Sequence, residues 1–203
     1  MPILIEDPAI ERDILDHRAA IGADRYDEVW EGVTIVSPGP NYMHQRLVQN
    51  LSETFRAAVD RGGLGNTCIS LNVSDRRDGW EHNFRIPDAM VVLNDSRAVI
   101  LEAFCLGGPD FVVEILCPQD RARLKFDFYA GIGVREILLI DRKPWAVELH
   151  RLDGEAYRLV GRLDEGDGGV VASEVLPLSF GLVPGDDRPT IEAVHTDGRR
   201  WTI

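Results

Sequence analysis

Cysteine is scarce in this sequence, and the cysteines that occur form no metal-binding pattern. Cys68, Cys105 and Cys117 are odd in number and include no Cys-X-X-Cys pair, so neither a disulfide framework nor a zinc ribbon is expected. The five histidines are scattered along the chain and add no zinc pattern. Because free thiols persist where the cell keeps them reduced, we expect a cytoplasmic protein.

Long apolar runs and the common nucleotide-binding motifs are also missing. No run approaches the ~18 residues that a membrane-spanning helix needs, and Glu6-Asp7 turns the sequence acidic too early for a signal peptide. The sequence has no Walker loop, no Gly-X-Gly-X-X-Gly motif and no Gly-X-Ser-X-Gly motif. We therefore expect no membrane association and no nucleotide cofactor, and α/β-hydrolase chemistry has no support.

Basic residues are fewer than acidic residues in this sequence. The chain of 203 residues has 22 Lys and Arg against 34 Asp and Glu, which gives a net charge of −12 at pH 7. Such a surface repels polyphosphates at long range and disfavours a sequence-blind coat protein for nucleic acid. A local basic cleft is compatible with this charge, because steering depends on where the charges lie. The basic residues are arginines except for Lys125 and Lys143.

The rest of the composition is that of a soluble globular domain. Apolar residues make up 44% and charged residues 28% of the chain, and the length fits one domain with additions. Apolar residues at steps of three and four predict helices, and short apolar runs bounded by turn residues predict strands. The predicted helices are 8–22, 42–60 and 119–131, the predicted strands are 67–73, 86–93, 111–116 and 137–140, and the predicted hairpins are 27–37 and 146–160.

The order of these elements predicts the fold class and the domain boundaries. A strand, a helix and a strand in succession favour a right-handed crossover between parallel strands. We therefore expect an α/β fold with a mixed β-sheet, flanking helices and added β-hairpins. The predicted division is an N-terminal helical arm (1–24), a single α/β domain (25–183) and a C-terminal tail (184–203) that packs on the domain or extends from it.

Two carboxylates stand at the ends of apolar strands. A buried carboxylate is costly unless it is paired, hydrogen-bonded or metal-bound, so Glu114 indicates either a site residue or a partner of an arginine at a half-solvated strand end. Asp88 follows Pro87 and precedes the next apolar run, which fits either a site residue or a turn. If their strands are neighbours, the two carboxylates converge and repel each other. Oxygen ligands of this kind favour Mg²⁺ or Mn²⁺ over zinc.

Lys125 lies on the predicted helix directly after the Glu114 strand. Arg121 and Tyr129 lie one turn before and one turn after it, so the three side chains share a helix face that can lean over the end of the strand. A lysine in that place can orient a water molecule or neutralise the charge of a phosphate. A solvated lysine in a surface ion pair is the structural alternative.

A series of short motifs, in a fixed order over about residues 25–160, carries a family resemblance. The motifs are Asp27-Glu28-Val29-Trp30-Glu31-Gly32, Ser37-Pro38, His44-Gln45, Arg85-Ile86-Pro87-Asp88, Pro109-Asp110-Phe111-Val112-Val113-Glu114-Ile115-Leu116 and Lys125-Phe126-Asp127-Phe128-Tyr129. Together they resemble the Uma2 (Uma-two) family, whose members are described as putative restriction endonucleases of the PD-(D/E)XK nuclease superfamily. The resemblance implies a restriction-endonuclease-like fold and metal-dependent hydrolysis of phosphodiester bonds.

The resemblance also assigns roles by position. Asp88 takes the place of the PD aspartate and Glu114 that of the acid in the (D/E)XK element, and the backbone carbonyl of Ile115 would complete the metal shell. Leu116 departs from the pattern because it stands where the superfamily has its lysine. Lys125, from the following helix, is the candidate replacement, so the predicted catalytic residues are Asp88, Glu114 and Lys125.

Other residues are expected around this centre. The resemblance places His44 and Gln45 at the edge of the site, where they would position substrate or water, although a polar helix start accounts for them equally well. Glu28 and Glu31 are further candidate carboxylates, and a hairpin turn is the preferred role for Glu31. The candidate substrate-binding residues are His44, Gln45, Arg85, Arg121 and Tyr129, and the predicted basic rim for phosphates consists of Arg76, Arg77, Arg85, Arg121 and Arg123.

The sequence is compatible with three hypotheses for the function. The leading hypothesis is an endonuclease that depends on Mg²⁺ or Mn²⁺, hydrolyses DNA and forms a homodimer, since single-domain nucleases that cut both strands commonly pair. The alternative is a catalytically inactive nuclease-fold module for binding or assembly, which Leu116 and the net charge favour. A third hypothesis, a metal-dependent hydrolase of small phosphate esters, requires a closed pocket too narrow for a duplex.

Overall fold

The computed structural model describes residues 8–117 and 121–203, and its helices are few. They are α1 (Pro8–Ala20), α2 (Tyr42–Phe55) and α3 (Phe126–Gly131), with a π-helical turn at Arg56–Asp60 and 3₁₀ turns at Trp80–His82 and Ala122–Lys125. The predicted helices 8–22 and 42–60 are confirmed, and the side chain of Asn41 caps α2 by accepting a hydrogen bond from the His44 amide. Within this part of the chain, no helix combines the length and hydropathy that a membrane crossing requires.

Sixteen strands, numbered in chain order, account for most of the described secondary structure. They are β1 (Glu28–Trp30), β2 (Val33–Ile35), β3 (Gly65–Ile69), β4 (Asn72–Ser74), β5 (Phe84–Arg85), β6 (Ala89–Leu93), β7 (Val99–Ile100), β8 (Phe104–Leu106), β9 (Phe111–Ile115), β10 (Glu136–Arg142), β11 (Trp145–Asp153), β12 (Ala156–Asp164), β13 (Val170–Ala172), β14 (Leu178–Val183), β15 (Thr190–His195) and β16 (Arg200–Thr202).

The central sheet has six strands in the order β12-β11-β10-β9-β6-β3. Strands β9 and β10 are parallel, because the chain between them crosses the sheet through the 3₁₀ turn and α3. The other neighbours are antiparallel, including β6 and β9, which pair Ala89 with Val113. The expected mixed α/β sheet with flanking helices is therefore confirmed, and the hairpin predicted for 146–160 is β11–β12.

The middle of the central sheet is buried on both faces, which explains why β6, β9 and most of β10 are apolar. One face packs against α2 and the C-terminal strands in a core that includes Leu51, Phe55, Phe111 and Phe180. The other face packs against α3 in a second core around Met90, Val112, Tyr129 and Leu139. Because side chains alternate along a strand, Glu114 lies on the same face as Val112, towards α3.

Two further sheets complete the fold. Strands β2-β1-β5-β4-β8-β7 form a sheet that contains the predicted N-terminal hairpin, in which the turn is Glu31-Gly32, and both turn residues have a positive φ. Strands β13-β14-β15-β16 form an antiparallel sheet at the C-terminus. Glu136 ties this sheet to the central one, since it accepts hydrogen bonds from the Arg151 guanidinium, the Ser173 hydroxyl and the Glu174 amide.

The structure corrects three of the predicted elements. The strand predicted at 67–73 is two strands in different sheets, because Ser70 has a φ of 49° between them. The helix predicted at 119–131 is the 3₁₀ turn Ala122–Lys125 followed by α3, and residues 119 and 120 lie outside the described residues. No strand was predicted after residue 160, but the structure has the C-terminal sheet there, whose β15 and β16 lie within residues 184–203.

Candidate active site

The two predicted acidic residues lie beside each other at one end of the central sheet. Asp88 directly precedes β6, and its amide donates to the Val113 carbonyl at 3.1 Å, so the register of β6 and β9 places Asp88 next to Glu114. Both residues take the side of the sheet that faces α3. Their convergence on neighbouring strands, expected from the sequence, is what the structure shows.

Glu114 is enclosed by two side chains of the segment that follows its strand. The Lys125 ammonium donates to both carboxylate oxygens of Glu114 at 3.0 Å, and the Tyr129 hydroxyl donates to Oε1 at 2.6 Å. Glu114 is 4% exposed and Lys125 is 8% exposed, so Lys125 is not the solvated surface lysine that was the structural alternative. The lysine of this site comes from the crossover segment and not from β9.

A third carboxylate reaches the same ammonium from the N-terminal hairpin. Oε1 of Glu28, on β1, lies 2.8 Å from Lys125 Nζ. The Glu28 carboxylate also accepts hydrogen bonds from the Ile86 amide at 2.7 Å and from the Trp30 indole at 2.8 Å. Glu28 is thus fixed by three donors, and the sequence had offered it only as a further candidate.

Burial and charge act in opposite directions on this cluster. Burial raises the pKa of Glu114 above its ordinary value, the Asp88 and Glu28 carboxylates raise it further, and the Lys125 ammonium opposes them. Burial alone would lower the pKa of Lys125, but Glu114 and Glu28 outweigh it and hold that pKa above its usual range. Lys125 is therefore a permanent cation between two carboxylates. Burial, followed by the Glu114 charge, also raises the pKa of Tyr129, which stays a hydroxyl donor.

Asp88 is held by a histidine and by the backbone of the neighbouring strand. Its Oδ1 lies 2.7 Å from His44 Nε2, and its Oδ2 accepts from the Ile115 amide at 2.7 Å. Burial lowers the pKa of His44, but the hydrogen bonds to Asp88 and Cys117 outweigh it and raise the pKa to about 9. Near neutral pH His44 is an imidazolium, so Asp88 is one half of an ion pair.

The donor chemistry of this cluster suits a hard divalent cation. Asp88, Glu114 and Glu28 offer only oxygens, which are the ligands that Mg²⁺ and Mn²⁺ prefer. The Ile115 carbonyl lies on the Asp88 side of β9, since the N–H and C=O of one residue point to the same side of a strand. Across residues 8–117 and 121–203, however, no three His, Cys, Asp or Glu side chains are arranged as a metal cluster.

Comparison with known proteins identifies the family of the chain. The model of the Uma2 family, described as putative restriction endonuclease, matches residues 18–183. The chain belongs to the Uma2 family. No curated protein matches it significantly. Members of this restriction-endonuclease-like group generally use divalent metal ions.

A solved structure shows the same fold. It is the crystal structure of a protein from Anabaena variabilis, titled a putative nuclease belonging to DUF820. The two chains are 21% identical, and the matched region covers 79% of this chain and 82% of the other. The TM-score of the superposition is 0.55. At this identity the likeness shows the fold alone, and the fold class predicted from the sequence is confirmed.

The other predicted residues of this Uma2 member are dispersed. His44 lies in the cluster through Asp88, whereas Gln45 is exposed on α2, where its amide lies 3.5 Å from the Tyr26 hydroxyl and borders a groove with Ser52. Glu31 sits in the hairpin turn and accepts a hydrogen bond from the Asn83 amide at 2.7 Å, as its preferred structural role requires. Arg121 precedes the 3₁₀ turn, and its carbonyl accepts from the Leu124 amide at 2.8 Å.

Arg85 is enclosed by the fold. It is 6% exposed, and its guanidinium stacks 4.5 Å from the Trp30 ring centroid and 4.2 Å from that of Phe128. Its Nη1 donates to the carbonyls of Val29 and Phe84, so Arg85 braces β1 against α3 behind the cluster.

From the sequence, Glu28 was only a further candidate carboxylate, and neither Cys117 nor Arg142 was predicted to lie near the site. Cys117 Sγ lies 3.7 Å from His44 Nδ1 and 3.3 Å from Arg142 Nη2, at the ends of β9 and β10. The only signal for Glu28 was a carboxylate in a hairpin strand that lies far from Lys125 in the chain. No sequence pattern pointed to Arg142.

Proposed function

We propose that this chain is a nuclease that depends on Mg²⁺ or Mn²⁺ and hydrolyses DNA phosphodiester bonds at Asp88, Glu114 and Lys125. The observation that carries the proposal is the contact of the Lys125 ammonium with both oxygens of Glu114. It supports Lys125 as the replacement for the lysine that is absent at Leu116. Membership of the Uma2 family supports nuclease chemistry in general.

The roles follow from the contacts of each residue. Asp88 and Glu114, with the carbonyl of Ile115, would hold the cation, and Glu28 is a further carboxylate within reach of the same ammonium. When bound, a divalent cation supplies a Lewis acid and lowers the pKa of a coordinated water. Tyr129 orients Glu114, and the His44 imidazolium orients Asp88.

Lys125 contributes a fixed positive charge to the reaction. An ammonium that is buried and held by two carboxylates stays protonated, so it would act on the phosphate by its charge and not as a base. A preorganised charge of this kind stabilises the negative charge that develops on a phosphate in the transition state. His44 adds a second cation at the edge of the cluster, which agrees with a role in substrate binding.

The test is cleavage by wild type and isosteric variants in Mg²⁺, Mn²⁺ and EDTA, with plasmid, linear and single-stranded DNA as substrates. We expect cutting that requires the metal and that falls at least a hundredfold in Glu114→Gln and Lys125→Met. Glu148→Gln is the matched control, because Glu148 is also buried on the α3 face but contacts Arg123 and Arg162 instead of Lys125. Equal cutting by Glu114→Gln and wild type would reject the proposed site.

The alternative is a nuclease-fold module that binds or assembles without catalysis. It is favoured by Leu116 and by the engagement of all four oxygens of Asp88 and Glu114 within the protein. A calorimetric Mn²⁺ titration separates the two functions, because a metal that binds wild type but not Glu114→Gln supports the nuclease. The homodimer expected for double-strand cutting stays a prediction, which light scattering of the purified chain would check.

A further inference from the structure

Three of the five arginines in the basic rim that the sequence predicted are paired or enclosed by the fold. Arg76 pairs with Asp75 at 2.8 Å, and Arg123 donates to both oxygens of Glu148 at 2.7 and 2.8 Å. Arg85 is buried between two aromatic rings. A guanidinium that already faces a carboxylate, or that lies inside the protein, contributes little to binding a phosphate. These three arginines therefore add little positive charge for the DNA backbone.

Arg142 is a partly exposed arginine, and its hydrogen-bond partners among the described residues are all neutral. Its Nη1 donates to Asn41 Oδ1 at 3.1 Å, its Nη2 to Cys117 Sγ at 3.3 Å, and its Nε lies 3.4 Å from the Leu116 carbonyl. In the described part of the chain no carboxylate pairs with it. A guanidinium has five N–H donors, so its orientation is fixed while two donors and the full charge remain available.

The position of Arg142 links it to the candidate active site. It ends β10, the parallel neighbour of the Glu114 strand. Its contact with Cys117 continues to His44 Nδ1 at 3.7 Å, and His44 Nε2 binds Asp88 at 2.7 Å. Only a thiol and an imidazole ring thus separate the guanidinium from Asp88. Arg142 therefore lies at the edge of a cluster of three carboxylates.

We propose that Arg142 is a phosphate-binding residue that holds a phosphodiester of the nucleic-acid backbone next to the one that is cut. The inference rests on the proposed nuclease function and adds to it the side from which the backbone reaches the metal centre. A guanidinium presents planar, paired N–H groups that match the oxygens of a phosphate. In a chain of net charge −12, one uncompensated cation at the reacting edge carries much of the local attraction.

The test is equilibrium binding of fluorescent duplex and single-stranded DNA of random sequence in Ca²⁺, measured by anisotropy over a range of salt concentrations. Arg142→Gln keeps a polar side chain for Asn41 and removes the charge. We expect its association constant to be about tenfold lower at low salt, and the salt slope to fall by ~0.9 for duplex and ~0.7 for single strands. Arg142→Lys restores the charge without the planar donors, and we expect it to recover most of the slope.

Arg123→Gln is the matched control, since Arg123 is 52% exposed but paired with Glu148, and we expect a salt slope equal to that of wild type. An unchanged slope in Arg142→Gln, with DNA binding by wild type, would overturn the Arg142 site and leave the nuclease proposal intact. DNA binding that depends on Arg142, without any metal-dependent cutting, would support the Arg142 site and overturn the nuclease proposal. Absence of DNA binding by metal-loaded wild type at low salt would overturn the Arg142 site as well.

Discussion

At the scale of single residues, the ammonium of Lys125 lies between Glu28 and Glu114, where it supplies the positive charge that a metal ion would otherwise supply. Its nitrogen lies 2.8 Å from one carboxylate and 3.0 Å from both oxygens of the other. A divalent ion on Glu114 has to share those oxygens with it or move it aside. Lys125 therefore opposes metal binding even though it assists the proposed chemistry.

Replacement of Lys125 by Met should separate these two effects. Without metal the variant should be less stable by about 3–5 kcal/mol, because two buried carboxylates lose their counter-charge. Its affinity for Mn²⁺ should rise about tenfold or more, since a like charge beside the ion is gone, while cleavage is lost. Calorimetry and the metal-induced rise in melting temperature measure both effects. Lys143→Met, an exposed lysine, is the control, and weaker Mn²⁺ binding by Lys125→Met would contradict the competition.

The ion pair of His44 and Asp88 should make stability depend on pH. The pKa of His44 is raised from 6.5 to about 9 in the folded protein. Its contribution to the free energy of unfolding is therefore fully present below pH 6.5 and is lost as the pH rises through about 9. Urea unfolding between these values should show this loss in wild type and not in His44→Gln. His17→Gln, at an exposed position on α1, should keep the pH dependence of wild type.

At the scale of elements, the loop before β9 and the loop after α3 fix the place of the crossover segment. The Gly108 amide donates to the Ile132 carbonyl at 3.0 Å, and a Cβ at Gly108 would lie 2.5 Å from that carbonyl oxygen and 2.7 Å from the Val134 nitrogen. Only glycine allows this approach, so the two backbones lock α3, and with it Lys125 and Tyr129, onto the sheet.

We expect Gly108→Ala to lower the free energy of unfolding by about 1–3 kcal/mol, as overpacking against backbone does. Gly131→Ala is the control, because a Cβ at Gly131 meets no atom within 4 Å. Thermal and urea unfolding of the two variants checks the difference. Equal stability of both would mean that the contact between the loops adjusts without cost.

The sequence predicted the elements whose signals are local. Three features could be predicted because each is set by neighbours within a few residues: the apolar face of α2, the apolar strands β6 and β9, and the spacing of Lys125 and Tyr129. The contact of Glu28 with Lys125 could not be predicted, since it depends on how a distant hairpin docks. The break at Ser70 and the short C-terminal strands were missed because tertiary pairing, not local propensity, determines them.

At the scale of the whole molecule, residues 184–203 contribute side chains to the core on the α2 face of the central sheet. Ile191, Ala193 and Ile203 are buried with Phe55 and Phe111 of the α2 face, and β15 pairs with β14 along its whole length. No functional motif was found in this stretch. Its role is to close the core beneath α2, the helix that carries His44.

Deletion of residues 184–203 should therefore abolish cooperative folding, because it exposes β14 and the apolar side chains beneath it. Circular dichroism and thermal unfolding of the truncated chain measure the loss. Arg200→Ala is the control within the same segment, since Arg200 is exposed and its surface pair with Glu192 contributes about 0–1 kcal/mol. A truncated chain that melts cooperatively like wild type would show that the strands are dispensable.

The lysine of the cluster comes from the crossover segment, and the other members come from a hairpin, a helix and two strands. No peptide that lacks any part of residues 28–125 contains Glu28, His44, Asp88, Glu114 and Lys125 together. An unfinished or proteolysed chain that has not closed its tertiary structure therefore cannot assemble the cluster. For the proposed nuclease, this means that the capacity to cut DNA arises only with the completed fold.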